Sequence, residues 1–494
     1  MKRKPHILLV FFRIWCAWIS PMATFGGFRS YVCFLVLIFQ VLSAAAAGSF
    51  WSVKYLPGFA GPLPFELETG YVGVGDSEEV QVFYYFVKSQ GNPRTDPLMT
   101  WYIGGPGCSA LCGFALEIGP LNFKIEAYNG SVPQLILNPH TWTKKANILF
   151  IDAPVGTGFS YAQTPRGLKK GDVLQIEQNH QFLRKWLADH PEFIRNPFYV
   201  GGGSYSGMIV PSLTQAISEG NSHGFPIINL QGYIEGNPFS VHKTNDNYKI
   251  PYAHRMSFIS DELYESLRSS CKGEYNNVDP TNVECIKYVS AYQKCVSRIN
   301  TGNILKPHCE DATKVTEAAT FNDARRSLYN ASEQQFLSPR VLPSIPLECD
   351  EYAFYLSYYW ANDNRVRKAL HVREGTIGEW FRCQSTKDYQ YDFTSMVPYH
   401  MNLSSKGYRS LIFSGDHDMK VPILDTEAWI KSLNYSLIDE WRPWFNEEDQ
   451  VLGYTRTYAN NMTFVSIKGG GHTPQTMQHQ SGIMFSRWIV GNPL

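Results

Sequence analysis

Along the chain, short runs of β-branched and aromatic residues alternate with stretches whose apolar positions recur at helical spacing. Residues 81–87 (QVFYYFV), 98–103 (LMTWYI), 148–151 and 198–200 are of the first kind, and glycine or proline follows each of them. Between them, residues 176–189 place Ile176, Phe182, Leu183, Trp186 and Leu187 at the recurrence of a helix. Strands alternating with helices predict a largely parallel sheet, because each parallel pair needs a crossover and the crossover helices cover the faces. Residues 227–233, 411–413 and 464–467 read as further central strands. Residues 257–346 break the pattern. They hold Cys271, Cys285, Cys295 and Cys309, then a polar tract with Arg325, Arg326 and Asn330. This stretch is expected to be an insertion over the C-terminal edge of the sheet. The resulting division is a core in two parts, 48–240 and 347–494, with a cap and polar linker at 241–346. No internal repeat is visible.

The first fifty residues follow a different pattern. Lys2, Arg3 and Lys4 precede an apolar stretch over 7–18 that Arg13 interrupts, and a second stretch, 31–42, runs into Ser43 and four alanines, 44–47. A basic start, an apolar core and a small-residue site read as a signal peptide over 1–47, with Met22 as an alternative start. An uncleaved anchor is the competing reading, although the run falls short of the ~20 residues of a membrane span. No stable span is expected after cleavage.

Composition narrows the class. The 494 residues carry 44 Lys+Arg against 44 Asp+Glu, which gives no reason to expect a polyanionic partner such as nucleic acid. With 44% hydrophobic and 18% charged residues, the chain can build a large core and is neither disordered nor a coiled coil. Two of the ten cysteines, Cys16 and Cys33, fall in the leader. The remaining even number suits an oxidising compartment. Sequons at Asn129, Asn330, Asn402, Asn434 and Asn461 point the same way. No cysteine and histidine group has zinc spacing, so neither metal nor cofactor is expected.

The sharpest chemical signal is Gly201-Gly202-Gly203-Ser204-Tyr205-Ser206-Gly207, a strand that passes through small residues into a helix predicted over 208–218. A nucleophile on such a turn has a strained backbone, so its flanks must be small. The competing reading is a glycine-rich loop that turns the chain or cradles phosphate, but the P-loop lysine is missing. A serine hydroxyl needs a base and a group that orients the base, and in a strand-turn-helix arrangement the order is serine, acid, histidine. Downstream candidates are Asp416 and Asp418 in GDHD, with His417 between them, and His472 in GGGHT. Upstream, Gly104-Gly105-Pro106-Gly107 follows a strand and exposes backbone N–H groups. Gly105 and Tyr205 are therefore the expected oxyanion donors. An ordinary strand-ending turn is the alternative.

Together GGPGCS (104–109), IDAPVGTGFSY (151–161), GGSYSG (202–207), GDHD (415–418) and GGGHT (469–473) resemble the serine carboxypeptidase-like family of plants, over nearly the whole mature chain. The resemblance implies an α/β-hydrolase fold with Ser204 as nucleophile, His472 as base and Asp418 as its orienting acid, and Gly105 and Tyr205 as oxyanion donors. It also implies disulfides Cys108 to Cys383, Cys271 to Cys285 and Cys309 to Cys349, leaving Cys112 and Cys295 unassigned. Carboxypeptidases of the family usually carry Glu before the nucleophile and Asn before the glycine pair, and these grip the substrate's terminal carboxylate with a further Glu. Here those positions are Gly203 and Ile103, and only Glu117 matches. Acyltransferase relatives commonly have Asp before the serine and often Thr in place of the Asn, so this chain fits neither subgroup. With Ile103, Gly104, Glu117 and Gly203 expected to contact substrate, the preferred expectation is acyl transfer from glucose esters to alcohols or amines. A carboxypeptidase or general esterase is the alternative, and a secreted binding protein without activity is the third. The expected partners are a small acyl donor and acceptor, or peptide C-termini, in the secretory pathway, at the cell exterior or in the vacuole. Excision of the linker over 310–346 is an open possibility, and the sequence leaves the oligomeric state open.

Overall fold

The computed structural model describes residues 49–309 and 345–494. The leader, the alternative start at Met22, Cys16, Cys33, the Asn330 sequon and all but the last residues of the polar linker lie outside them. Twelve strands form one sheet: β1 (Ser49–Val53), β2 (Leu67–Val74), β3 (Val80–Val87), β4 (Leu98–Trp101), β5 (Asn147–Ile151), β6 (Tyr161–Ala162), β7 (Phe198–Gly203), β8 (Leu230–Gly236), β9 (Arg409–Gly415), β10 (Leu437–Phe445), β11 (Val451–Tyr458) and β12 (Met462–Ile467). Their order is β1-β2-β3-β5-β4-β7-β8-β9-β12-β11-β10, with β6 on β3. The six strands from β5 to β12 run parallel, and antiparallel pairs extend the sheet on both sides.

β3 shows how the sequence enforces this. All eight of its residues are buried. Phe83 and Tyr85 face one apolar layer, where Tyr85 stacks on Phe114, while Tyr84 and Phe86 face the other against Trp186. Each such side chain removed from water stabilises the fold by about 1.5–3 kcal/mol, so a continuous apolar run is what a strand covered on both faces requires.

The long helices α1 (Asp172–Asp189) and α2 (Ser206–Gly220) pack on each other and on the sheet. The first begins four residues before its apolar recurrence, at Asp172, which is buried and accepts the hydroxyls of Tyr205 and Tyr389. The strand read at 227–233 starts at Leu230, for Ile227 is exposed and the Ile228 N–H is taken by the Asn221 side chain. After β8 come α3 (Asn245–Arg255), α4 (Asp261–Cys271) and α5 (Val283–Val296), with an apolar cluster of their own that includes Met419 and Leu424. The residues from 345 onward add α6 (Tyr352–Asn362), α7 (Asn364–Ala369), α8 (Val397–Ser405), α9 (Ile423–Ser432) and α10 (Gln478–Ile489). Among the described residues no helix is long and apolar enough to cross a membrane.

Candidate active site

Four loops at the C-terminal ends of β4, β7, β9 and β12 carry the candidate residues, the edge of a parallel sheet where ligands bind. The turn after β7 is held by close contacts. A Cβ on Gly201 would sit 2.8 Å from Thr100 O, one on Gly202 2.7 Å from Ser206 Cβ, and one on Gly207 2.7 Å from Phe239 O. Only glycine fits at these three positions. Ser204 itself has φ 59°, a left-handed backbone that costs an L-residue energy and lifts its side chain clear of the strand. Its N–H donates to Gly236 O at 2.9 Å, and its carbonyl accepts Phe239 N–H at 2.9 Å.

Ser204 Oγ lies 2.8 Å from His472 Nε2, and His472 Nδ1 lies 2.8 Å from Asp418 Oδ2. Asp418 is fully buried. It also accepts Asn237 Nδ2 at 2.8 Å, Lys420 N–H at 2.7 Å and Val421 N–H at 3.3 Å. Four donors leave its carboxylate one orientation. The other acid of the GDHD run points elsewhere. Asp416 bonds His417 Nδ1 at 2.5 Å and accepts Gly469 N–H at 2.7 Å, so this pair braces the loop that carries His472. Asn237 was not singled out from the sequence. Its place in Gly236-Asn237-Pro238 directly after β8, where it shows φ 45°, was the available signal.

Gly104 passes so close to the turn that a Cβ there would be 2.5 Å from Tyr205 N and 2.6 Å from Ser204 Cβ. Gly105 follows with φ 115°. Neither the Gly105 nor the Tyr205 backbone N–H has an acceptor among the described residues, and both lie on the two segments that meet at Ser204. Unpaired donors next to a nucleophile can receive a developing oxyanion.

Ile103, Gly104, Glu117 and Gly203 line one small cleft with Ser204, His472, Thr473 and Pro474, partly open to solvent. Glu117 ends an irregular helical turn over Gly113–Glu117 and accepts Trp101 Nε1–H at 2.9 Å. Burial raises its pKa to about 7 against the opposing effects of the Trp101 bond and the Arg382 charge. A Cβ on Gly203 would meet nothing nearer than Gly236 O at 3.4 Å, so packing does not demand glycine there.

The serine carboxypeptidase family profile matches residues 57–491. The chain belongs to the serine carboxypeptidase family. Serine carboxypeptidase-like 7 of Arabidopsis thaliana is 54% identical over 90% of this chain and 94% of its own length. Serine carboxypeptidase-like 11 of the same plant is 52% identical over 93% and 98%. A crystal structure of a prohormone-processing carboxypeptidase from Saccharomyces cerevisiae superposes with a TM-score of 0.68 at 18% identity, covering 88% of this chain and 95% of that one. That likeness speaks for the fold, which is the α/β-hydrolase fold.

As in the expectation drawn from the family, sulfurs are bonded between Cys108 and Cys383, Cys271 and Cys285, and Cys309 and Cys349. Such bonds belong to the oxidising secretory pathway. Cys112 is a buried thiol whose pKa burial pushes up to about 12, and Cys295 is an exposed one. Asn129, Asn434 and Asn461 are exposed and Asn402 is half-buried.

Proposed function

We propose that this serine carboxypeptidase-family protein is an acyltransferase that moves acyl groups from glucose esters to alcohol or amine acceptors. The observation that carries the reading is a Ser204-His472-Asp418 relay, with links of 2.8 and 2.8 Å, above a cleft whose Ile103 and Gly203 offer no polar side chain.

In the reading, Ser204 Oγ attacks the ester carbonyl carbon while its proton passes to His472 Nε2. The carbonyl oxygen becomes an oxyanion against the N–H groups of Gly105 and Tyr205. Collapse breaks the bond to the sugar oxygen, which leaves with the proton from the imidazolium. The acceptor then gives its proton to the same nitrogen and attacks the acyl-enzyme, and a second collapse returns the proton to Ser204. Asp418 keeps the tautomer that presents Nε2 as the base.

The case against a peptide C-terminus is electrostatic. Its carboxylate would enter beside Glu117 with no second polar side chain from Ile103 or Gly203, and a buried charge without partners costs several kcal/mol. A neutral acceptor has no such cost. Glu117 favours one other reading, carboxypeptidase action, since below its pKa of about 7 it can donate a hydrogen bond to a carboxylate. The cap at 241–346 between core parts 48–240 and 347–494, and a final location in the vacuole or outside the cell, belong to the same proposal.

The deciding experiment incubates the protein with a glucose ester and candidate alcohols, and separately with blocked dipeptides. Transfer to the alcohol is expected. Rapid release of C-terminal amino acids without transfer overturns the reading. Labelling by a fluorophosphonate that disappears in Ser204→Ala is the accompanying check on the nucleophile.

A further inference from the structure

We infer that residues 299–306, just beyond α5, form a strap that holds the base and the acid of the site in register, with Asn300 as its positioning residue. The inference rests on reading Ser204, His472 and Asp418 as the relay.

The strap makes four backbone hydrogen bonds to the two loops concerned. Gly302 O accepts His472 N–H at 2.6 Å, Thr301 O accepts Met419 N–H at 2.9 Å and Lys420 N–H at 3.0 Å, and Ile304 N–H donates to His417 O at 3.0 Å. Side-chain packing follows the same line. A Cβ on Gly471 would lie 2.5 Å from Gly302 O and 2.7 Å from Asn303 Cβ, so strap and base loop touch directly. Asn303 is buried at that contact.

Asn300 gives the strap its shape. Its Oδ1 accepts Gly302 N–H at 3.0 Å and Asn303 N–H at 3.3 Å, which turns the carbonyls of Thr301 and Gly302 outward. Its Nδ2 donates to Pro307 O at 2.9 Å and to Glu351 Oε1 at 3.4 Å. The far end is thereby tied to the segment just before α6, where Cys309 is bonded to Cys349. The need is physical. His472 follows three consecutive glycines, 469–471, which have the largest backbone entropy to lose. Within the loop Gly470 N–H reaches Ile467 O at 3.2 Å and Gly471 N–H reaches Thr476 Oγ1 at 2.8 Å, and the strap adds the bond to His472 N–H itself from another part of the chain.

The test uses the complete mature protein and a fluorophosphonate probe, with the labelling rate followed across the pH range in which imidazole titrates. Asn300→Ala is expected to slow labelling by roughly tenfold to a hundredfold, the scale of a 1 Å misplacement. Its pH midpoint is expected to fall, because a looser Asp418 contact stabilises the imidazolium less. The other charged groups on the two strapped loops and across the cleft, Asp416, His417, Lys420 and Glu117, are unchanged by the substitution. Asn300→Asp keeps an acceptor for both N–H groups but loses the bonds to Pro307 O and Glu351 Oε1, so it is expected to recover part of the rate, whereas Asn300→Leu recovers none. Equal rates and midpoints in Asn300→Ala and the unmodified protein overturn the inference. Labelling that persists in Ser204→Ala would instead strike the reading of the nucleophile. If Asn300→Ala does not fold, amide exchange in the unmodified protein decides. Slow exchange at Met419, Lys420 and His472 is expected, and exchange at the rate of an open loop overturns the strap.

Discussion

Gly202 and Gly203 are neighbours at the end of β7, and they are glycine for different reasons. Gly202 belongs to the turn, where Tyr102 O and Ser206 Cβ would stand 2.9 and 2.7 Å from any Cβ. Gly203 belongs to the floor of the cleft, where a Cβ has ordinary contact distances. The turn has no room for other side chains, and its composition follows from packing. The floor has room, and its composition is free to follow the substrate. One chain can therefore keep the turn that carries Ser204 while altering what lines the cleft beside it.

The sharpest way to break the comparison starts at the relay. Asp418→Asn should lower the fluorophosphonate labelling rate by about 10⁴-fold, because an amide favours the tautomer that turns the wrong nitrogen to Ser204. Asp416→Asn, two residues away, should change it far less, since its carboxylate faces His417 and Gly469. Similar losses in both would mean that the two acids share a role.

Next in size is the close approach of the β4 loop to the turn. Gly104→Ala forces a methyl within 2.5 Å of Tyr205 N. Displacing that donor should cost on the order of 10²–10³ in rate, the usual loss for one oxyanion contact. Gly203→Ala should label at nearly the native rate and melt at nearly the native temperature. A comparable loss at Gly203 would erase the distinction between turn and floor.

The floor can also be refilled. Gly203→Glu combined with Ile103→Asn is expected to raise release of C-terminal amino acids from blocked dipeptides by about tenfold or more, since a charge-assisted hydrogen bond contributes about 1.5–3 kcal/mol. No gain would show that carboxylate recognition fails at this cleft for another reason.

What could be read from sequence divides along similar lines. The central parallel strands were legible because burial on both faces leaves continuous apolar runs, as in β3. The outer strands β10 and β11 were not. β10 is the edge strand, where Asp439, Glu440, Arg442 and Pro443 are tolerated and the alternation is lost, and β11 lies next to it. Ser204 and His472 announced themselves through glycine, which marks places where backbone comes close. Asp416 and Asp418 could not be separated by pattern, because the fold of their turn decides which one meets His472. Asn237 and Asn300 left still less trace. Their work is hydrogen bonding across 181 residues in the first case and, in the second, within a short loop and to Glu351 beyond it, and neither has a periodic signature.

The last predicted effect concerns Glu117 and is a matter of stability, not of rate. Its carboxyl has a pKa of about 7 in the folded chain, raised by burial from 4.5. Its contribution to stability is therefore complete below the unfolded value and is lost as pH rises through the folded one. Between those limits the difference amounts to about 3 kcal/mol. Glu117→Gln keeps an acceptor for Trp101 Nε1–H and removes the titration. Urea unfolding at a series of pH values should show the unmodified protein losing stability relative to Glu117→Gln across that window. Asp152 and Asp425, both raised to about 6 by burial, titrate in both proteins and cancel in the difference. A difference independent of pH would mean that Glu117 is ionised throughout, held by the charge of Arg382. The floor would then repel any substrate carboxylate at every pH, and the argument for a neutral acceptor would no longer depend on Ile103 and Gly203.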